Sequence, residues 1–93
     1  MQAMVVDLRI RPVDTNEMER VYRNEVVPMA REQRGFKGAL LLTDPQTGVG
    51  ISITLWDTDR HALEGFYDEK IDKFARLLTE TPVRKHYDLN VMA

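Results

Sequence analysis

Cysteine is absent from the 93 residues. That excludes disulfides, thiolate metal sites and a cysteine nucleophile, and it fits a reducing compartment. Histidine occurs only as His61 and His86, with no cluster of carboxylates between them, which is a poor basis for a metal centre. Neither sign of charge dominates. The formal net charge is −2, and the basic residues stand singly among acids, so no stripe for nucleic acid is present. The longest nearly apolar stretch, Gly38 to Leu42, is far short of a membrane span. The N-terminus lacks the basic-then-apolar pattern of a signal peptide, and a cytoplasmic location is expected. There is no glycine-rich phosphate loop, nucleophile elbow, nucleotide fingerprint, internal repeat or low-complexity segment.

The residues that are present describe a single domain spanning 1–93. With 43% hydrophobic and 30% charged residues the chain is ordinary for a globular protein, which excludes disorder. A chain this short buries a limited core, so burial of a second face against a partner is expected.

Hydrophobic periodicity sets the elements. Met4 to Arg11 alternates as a strand, and Pro12 ends its hydrogen bonding. Asp14 to Glu17 has the form of a capping box for a helix with Met18, Val21, Tyr22, Val26 and Met29 on its apolar stripe and Glu19, Arg20 and Arg23 on the other side. Pro28 predicts a kink. Gly35 is the expected left-handed stop. Gly38–Thr43 and Gly50–Trp56 form a hairpin across the turn Asp44–Gly48. Asp57 to Asp59 offers cap oxygens to a second helical region, with Ala62, Leu63 and Phe66 inward, an expected bend near Tyr67–Glu69, and a resumed stripe at Ile71 and Phe74. Lys85 to Met92 reads as the last strand. The order β-α-β-β-α-β predicts an α+β fold of ferredoxin-like wiring, a four-stranded antiparallel sheet with the first and third strands central and helices on one side.

Hydrophobicity assigns the helix-facing side to Val6, Leu8, Ile10, Leu40, Leu42, Ile51, Ile53, Leu55, Tyr87, Leu89 and Val91. The opposite face then carries Asp7, Arg9, Arg11, Ser52, Thr54, Trp56, His86, Asp88 and Asn90, with Val5, Ala39 and Leu41 among them, and its charges can pair, as Arg9 with Asp88. A large indole on an open face is costly to leave wet. A homodimer packed through this sheet face therefore follows.

Candidate site residues can be named by chemistry. Trp56 suits stacking on a flat molecule. His61, in the first turn of the second helical region, is a candidate acid or base. Tyr22 and Tyr67 offer phenols. Met18, Met29, Phe66 and Phe74 are candidates to line an apolar pocket, with Ser52 as a further ligand-binding candidate. Each has an ordinary structural alternative as core, surface or interface.

The run Glu32-Gln-Arg-Gly-Phe-Lys-Gly38 before strand two, and Ile53-Thr-Leu-Trp56 ending strand three, resemble the antibiotic-biosynthesis-monooxygenase family over nearly the whole chain. The resemblance implies a dimeric α+β barrel with a mostly apolar pocket between sheet and helices. Characterised members include quinone-forming oxygenases that use no cofactor, and haem-degrading enzymes. The haem degraders carry an Asn on strand one and a Trp and a His on the second helical region. Val6 and Asp7, Gly65 and Ala75 fall at those places here. The polyketide oxygenases carry an Asn before the strand-three Trp and a Tyr after it, where this chain has Ser52 and Ala62. Trp56 alone is retained. The function implied is a homodimer that binds a small apolar or aromatic molecule, without nucleic acid, membrane or bound cofactor. It would act as a monooxygenase of quinol- or polyketide-like substrates. A non-catalytic binding module and a cofactor-independent isomerase or lyase remain open on the same fold.

Overall fold

The computed structural model describes residues 1–93. Four strands, β1 (Gln2–Arg9), β2 (Phe36–Thr43), β3 (Val49–Trp56) and β4 (Val83–Asp88), form one antiparallel sheet in the order β2-β3-β1-β4. The first helix covers residues 15–31, and the second, Glu64–Phe74, follows a 3₁₀ turn at Arg60–Leu63. Both lie on one side of the sheet, which gives the expected β-α-β-β-α-β ferredoxin-like fold. No helix is long and apolar enough to cross a membrane.

The first helix deals with Pro28 by widening rather than by a break. Pro28 has no N–H to give the carbonyl of Asn24, and its ring crowds that carbonyl. Residues Tyr22–Val26, just upstream, form a π-helical turn, and α-helix resumes over Val27–Arg31. The expected capping box does not form. Asp14 pairs with Arg11 at 2.9 Å and Glu17 with Arg20, so both carboxylates serve arginines instead of backbone amides. At the second helix Asp59 does act as cap, accepting the His61 backbone N–H at 2.8 Å. No bend occurs near Tyr67–Glu69, since the helix runs unbroken to Phe74. Gly65, in the first turn of this helix, faces open space, where the missing side chain disturbs no packing. Ala62 is exposed rather than inward.

Two glycines fix the turns. Gly35 has φ +87°, and a Cβ there would stand 2.8 Å from the Asp57 carbonyl oxygen. Gly48 closes the β2–β3 hairpin at φ +79°, where a Cβ would overlap the Ile10 carbonyl oxygen at 1.8 Å. Gly48→Ala is accordingly expected to lower stability by roughly 2–4 kcal/mol, because both the dihedral and the contact must be relieved. Urea unfolding of the two proteins checks it, and a loss below about 0.5 kcal/mol would contradict it.

The register corrects the assignment of sheet faces. Met4, Val6 and Leu8 of β1 point to the helices, as expected, and all are buried. Their partners across β3 are Thr54, Ser52 and Gly50, and Gln2 lies opposite Trp56. Hence Ser52, Thr54 and Trp56 face the helices, and Ile51, Ile53 and Leu55 face away. In β2, Ala39 and Leu41 pair with Thr54 and Ser52, so Leu40 and Leu42 also face away. In β4, His86 and Arg84 lie opposite Met4 and Val6, which sends Tyr87 to the outer face. Leu89 and Val91 lie beyond the end of β4. Arg9 does not pair with Asp88. The ion pair of the outer face is Lys85 with Asp7 at 3.3 Å.

Period two says which residues share a face, never which face that is. Hydrophobicity settles the matter only when one face is wet, and here both carry apolar side chains. The core formed by Met4, Val6, Leu8, Met18, Val21, Val26, Trp56, Phe66 and Phe74 is closed by the helices. The outer face, bearing Val5, Leu40, Leu42, Ile51, Ile53, Leu55, Val83 and Tyr87, has no cover within the protomer; Leu40 and Leu42 are 46% and 49% exposed.

Candidate functional site

The cleft between the first helix and the β2 side of the sheet has a volume of about 340 Å³. That is within the range of small-molecule sites. Its walls are Tyr22, Val27, Ala39 and Leu41, and its rim is Glu19, Arg23 and Thr43. The π-helical turn begins at Tyr22 and carries its ring inward to the sheet.

The Tyr22 hydroxyl lies 2.9 Å from Ser52 Oγ and donates to the Leu40 carbonyl over 3.4 Å. The second contact is long and therefore weak. With Ser52 donating to the phenol oxygen, the phenol proton can be turned to a ligand at little cost. Burial pushes the Tyr22 pKa above the ordinary tyrosine value, and the Ser52 hydrogen bond offsets this only in part. Tyr22 is thus a neutral donor near pH 7, not a base. At the rim, the Glu19 carboxylate is 2.6 Å from an Arg23 guanidinium nitrogen. A mixed cleft results, with an apolar floor, one buried donor, one carboxylate and one guanidinium.

The other sequence candidates do not gather there. Trp56 is fully buried, edge-on to Phe36 and Phe66 at centroid separations of 5.4 and 4.9 Å. It lies on the helix-facing side, where the expected outer-face position is overturned. Met18, Phe66 and Phe74 are core, and Met29 packs partly buried against them. His61 is exposed in the turn before the second helix. Tyr67 is half-buried on that helix, with the Arg84 guanidinium 4.2 Å from its ring centre. Burial raises the Tyr67 pKa, and the nearby Arg84 charge works against that. Ser52 is fully buried and serves the site through Tyr22.

Two groups escaped the sequence reading. Glu19 and Arg23 were assigned to solvent, yet they rim the cleft. The available signal was their position one turn before and one residue after Tyr22. Lys70, one of the basic residues that stand singly among acids, is fully buried. Its place midway between Phe66 and Phe74, four residues from each, puts it on the inner stripe of the second helix.

No protein-family model and no curated protein sequence matches the chain. Solved structures do match in fold. An antibiotic biosynthesis monooxygenase of Bordetella bronchiseptica superposes with a TM-score of 0.79 at 14% identity, covering 97% of each chain. The monooxygenase of Streptomyces coelicolor ActVA-Orf6, in complex with nanaomycin D, gives 0.78 at 14% identity over 99% of this chain and 89% of that one. A mutant of SnoaB, a cofactor-independent oxygenase of Streptomyces nogalater, gives 0.71 at 17% identity over 98% and 94%. The chain therefore has the fold of the antibiotic biosynthesis monooxygenases, as the resemblance implied. At these identities the likeness establishes the fold alone.

Proposed function

We propose that the protein is a homodimer whose protomers each bind a small aromatic, polyketide-like molecule in the Tyr22 cleft and oxidise it with dioxygen without a bound cofactor. The observation that carries this reading is the buried Tyr22 phenol, held by Ser52 and weakly committed to Leu40, in the wall of a cleft of about 340 Å³. The same fold in a cofactor-independent oxygenase and in a monooxygenase complexed with nanaomycin D supports the choice of chemistry. The uncovered apolar outer face supports the dimer, since a patch of that kind is rarely left wet on a monomer. A second copy, paired about a two-fold axis, is its simplest cover.

In this chemistry the substrate supplies the electrons. A methylene between two aromatic rings, para to a carbonyl, is acidic because its anion is a phenolate. In this reading Glu19, at the rim beside Arg23, takes the proton. The Tyr22 hydroxyl donates to the oxygen on which the negative charge collects, and a preorganised donor aimed at developing charge lowers the barrier. Dioxygen adds at the carbanion carbon. The O–O bond then breaks, one oxygen stays as the new carbonyl, and the other leaves as water with two hydrogens. The four electrons lost by the carbon equal the four gained by dioxygen.

Tyr22→Phe removes the donor and keeps the ring. A hydrogen bond to a charged group is worth about 1.5–3 kcal/mol, so kcat/KM should fall roughly 10- to 100-fold. An oxygen electrode with anthrone as probe measures this. Absence of uptake by the unaltered protein, or equal rates for the two proteins, would sink the proposal.

A further inference from the structure

We infer that the free edge of β2, together with the Tyr22 cleft beside it, binds a short extended peptide, which adds to the sheet as an antiparallel strand and lays a central aromatic side chain in the cleft. The site shares that cleft with the oxygenase reading but uses none of its chemistry, and its test involves no turnover.

The two edges of the sheet are β2 and β4. On β4, Arg84, Lys85 and Asp88 are charges of the kind that discourage strand addition. β2 lacks this protection. Its sequence from Phe36 to Thr43 has no proline and a single charge, Lys37. Such an edge offers a row of backbone N–H and C=O groups to an incoming strand.

The register identifies those groups. Opposed residues of an antiparallel pair alternate between exchanging backbone hydrogen bonds and turning their N–H and C=O groups away from each other. The Asp44 N–H donates to the Val49 carbonyl at 2.8 Å. Leu42 and Leu40, in step with Asp44, are therefore the residues bonded to Ile51 and Ile53. The Tyr22 hydroxyl agrees, since it reaches both the Leu40 carbonyl and Ser52 Oγ, which places that carbonyl over the gap between β2 and β3. Ala39, Leu41 and Thr43 thus turn their N–H and C=O groups to the open edge. These groups lie in the plane of the sheet, so a second copy stacked on the outer face leaves them free. The side chains of the same three residues line the Tyr22 cleft.

That coincidence defines the ligand. A residue paired with Leu41 exchanges two hydrogen bonds with it and sends its own side chain to the same face, into the cleft. A cleft of about 340 Å³ with Val27, Ala39 and Leu41 as apolar walls suits an aromatic ring. The ligand residues on either side point to the outer face, beside the exposed Leu40 and Leu42, where β-branched apolar side chains fit. Charge sets the direction. Lys37 lies near the start of β2 and Asp44 just past its end; both are exposed and outside the ion pairs of the structure. A peptide lying antiparallel to residues 39–43 brings its terminal carboxylate toward Lys37 and its ammonium toward Asp44.

Amide hydrogen exchange, read by NMR on the full chain, tests this with the free-ended peptide Ser-Val-Phe-Val-Ser. At about 1 mM peptide the edge amides of Ala39, Leu41 and Thr43 should exchange roughly tenfold more slowly, as a dissociation constant near about 0.1 mM implies. Leu40 and Leu42, already bonded to β3, should change little. Two altered peptides separate strand addition from occupation of the cleft by a ring. Alanine in place of the central Phe should weaken binding roughly tenfold or more, through loss of the buried ring. Methylation of the central Phe nitrogen removes the hydrogen bond to the Leu41 carbonyl and should abolish the protection. No protection of the edge amides, equal binding of the alanine peptide, or protection retained with the methylated peptide would each overturn the assignment.

Discussion

Replacing Lys70 with methionine is expected to raise the melting temperature at pH 7 by roughly 10–20 °C, a large effect for one substitution in a small domain. The origin is electrostatic. Burial lowers the Lys70 pKa to about 7, with no ion pair to offset it. In the unfolded chain the same amine titrates near about 10.4. Between these values the unfolded chain holds a proton that the folded chain has released, so stability rises with pH across that window. Below about pH 7 both states are protonated, and the folded chain carries the full cost of an ammonium among Phe66 and Phe74. The gap corresponds to roughly 5 kcal/mol. Methionine fills the space imperfectly, so the net gain is on the order of 3 kcal/mol. Melting curves at pH 6, 8 and 9.5 for both proteins measure it. The advantage of the variant should be greatest at pH 6 and shrink as pH rises. Using the difference between the two proteins removes other titrations, such as that of Tyr22, whose raised pKa costs stability only in strong alkali. A variant less stable than the parent, or an advantage independent of pH, would contradict burial of an unpaired amine.

The second large effect concerns association. Ile53→Asp is expected to convert a dimer into a monomer, with the dissociation constant raised by at least roughly a thousandfold. Ile53 is on the central strand β3, opposite Val5 on one side and Leu40 on the other, at the middle of the uncovered apolar face. A carboxylate there would be desolvated by the partner's sheet without a cation to meet it. The nearest charged pair on this face, Lys85 with Asp7, is already made. Since Ile53 faces away from the helices, the protomer's own core should survive, and circular dichroism should be unchanged. Light scattering on a size-exclusion column distinguishes the outcomes. A parent protein that is monomeric at micromolar concentration, or a variant that elutes with the parent as a dimer, would reject pairing through this face.

The outcome for the faces shows where the sequence was legible. Element order, the β2–β3 hairpin and its turn, the cap at Asp59 and the stop at Gly35 all follow from local patterns, because each depends on residues close in the chain. Face assignment depends on what covers each side. On β1 it came out as expected, because Asp7 and Arg9 alternate with Met4, Val6 and Leu8. On β3 it inverted, because Ile51, Ile53 and Leu55 are more hydrophobic than the Ser52, Thr54 and Trp56 that form the inner row. The inversion moved Trp56 into the core and removed it as a surface for stacking. It also strengthened the case for pairing, which now stands on a continuous apolar face instead of on one indole.

The site was less legible than the fold. Tyr22 was named for its phenol, but its partner Ser52 is 30 residues away and on the other layer, and only the register brings them together. His61 and Tyr67 carry suitable chemistry and lie elsewhere. Lys70 was hidden because a lysine inside a helix is ordinarily solvated, although its spacing of four residues from Phe66 and from Phe74 puts it on their stripe.

Turnover of anthrone under ¹⁸O₂ tests the proposed chemistry most directly. Mass spectrometry of the product should show one heavy oxygen in each new quinone carbonyl, with one dioxygen consumed per product and the second heavy atom in water. Product without the label, or no product formed above the rate without protein, would contradict the oxygenase assignment.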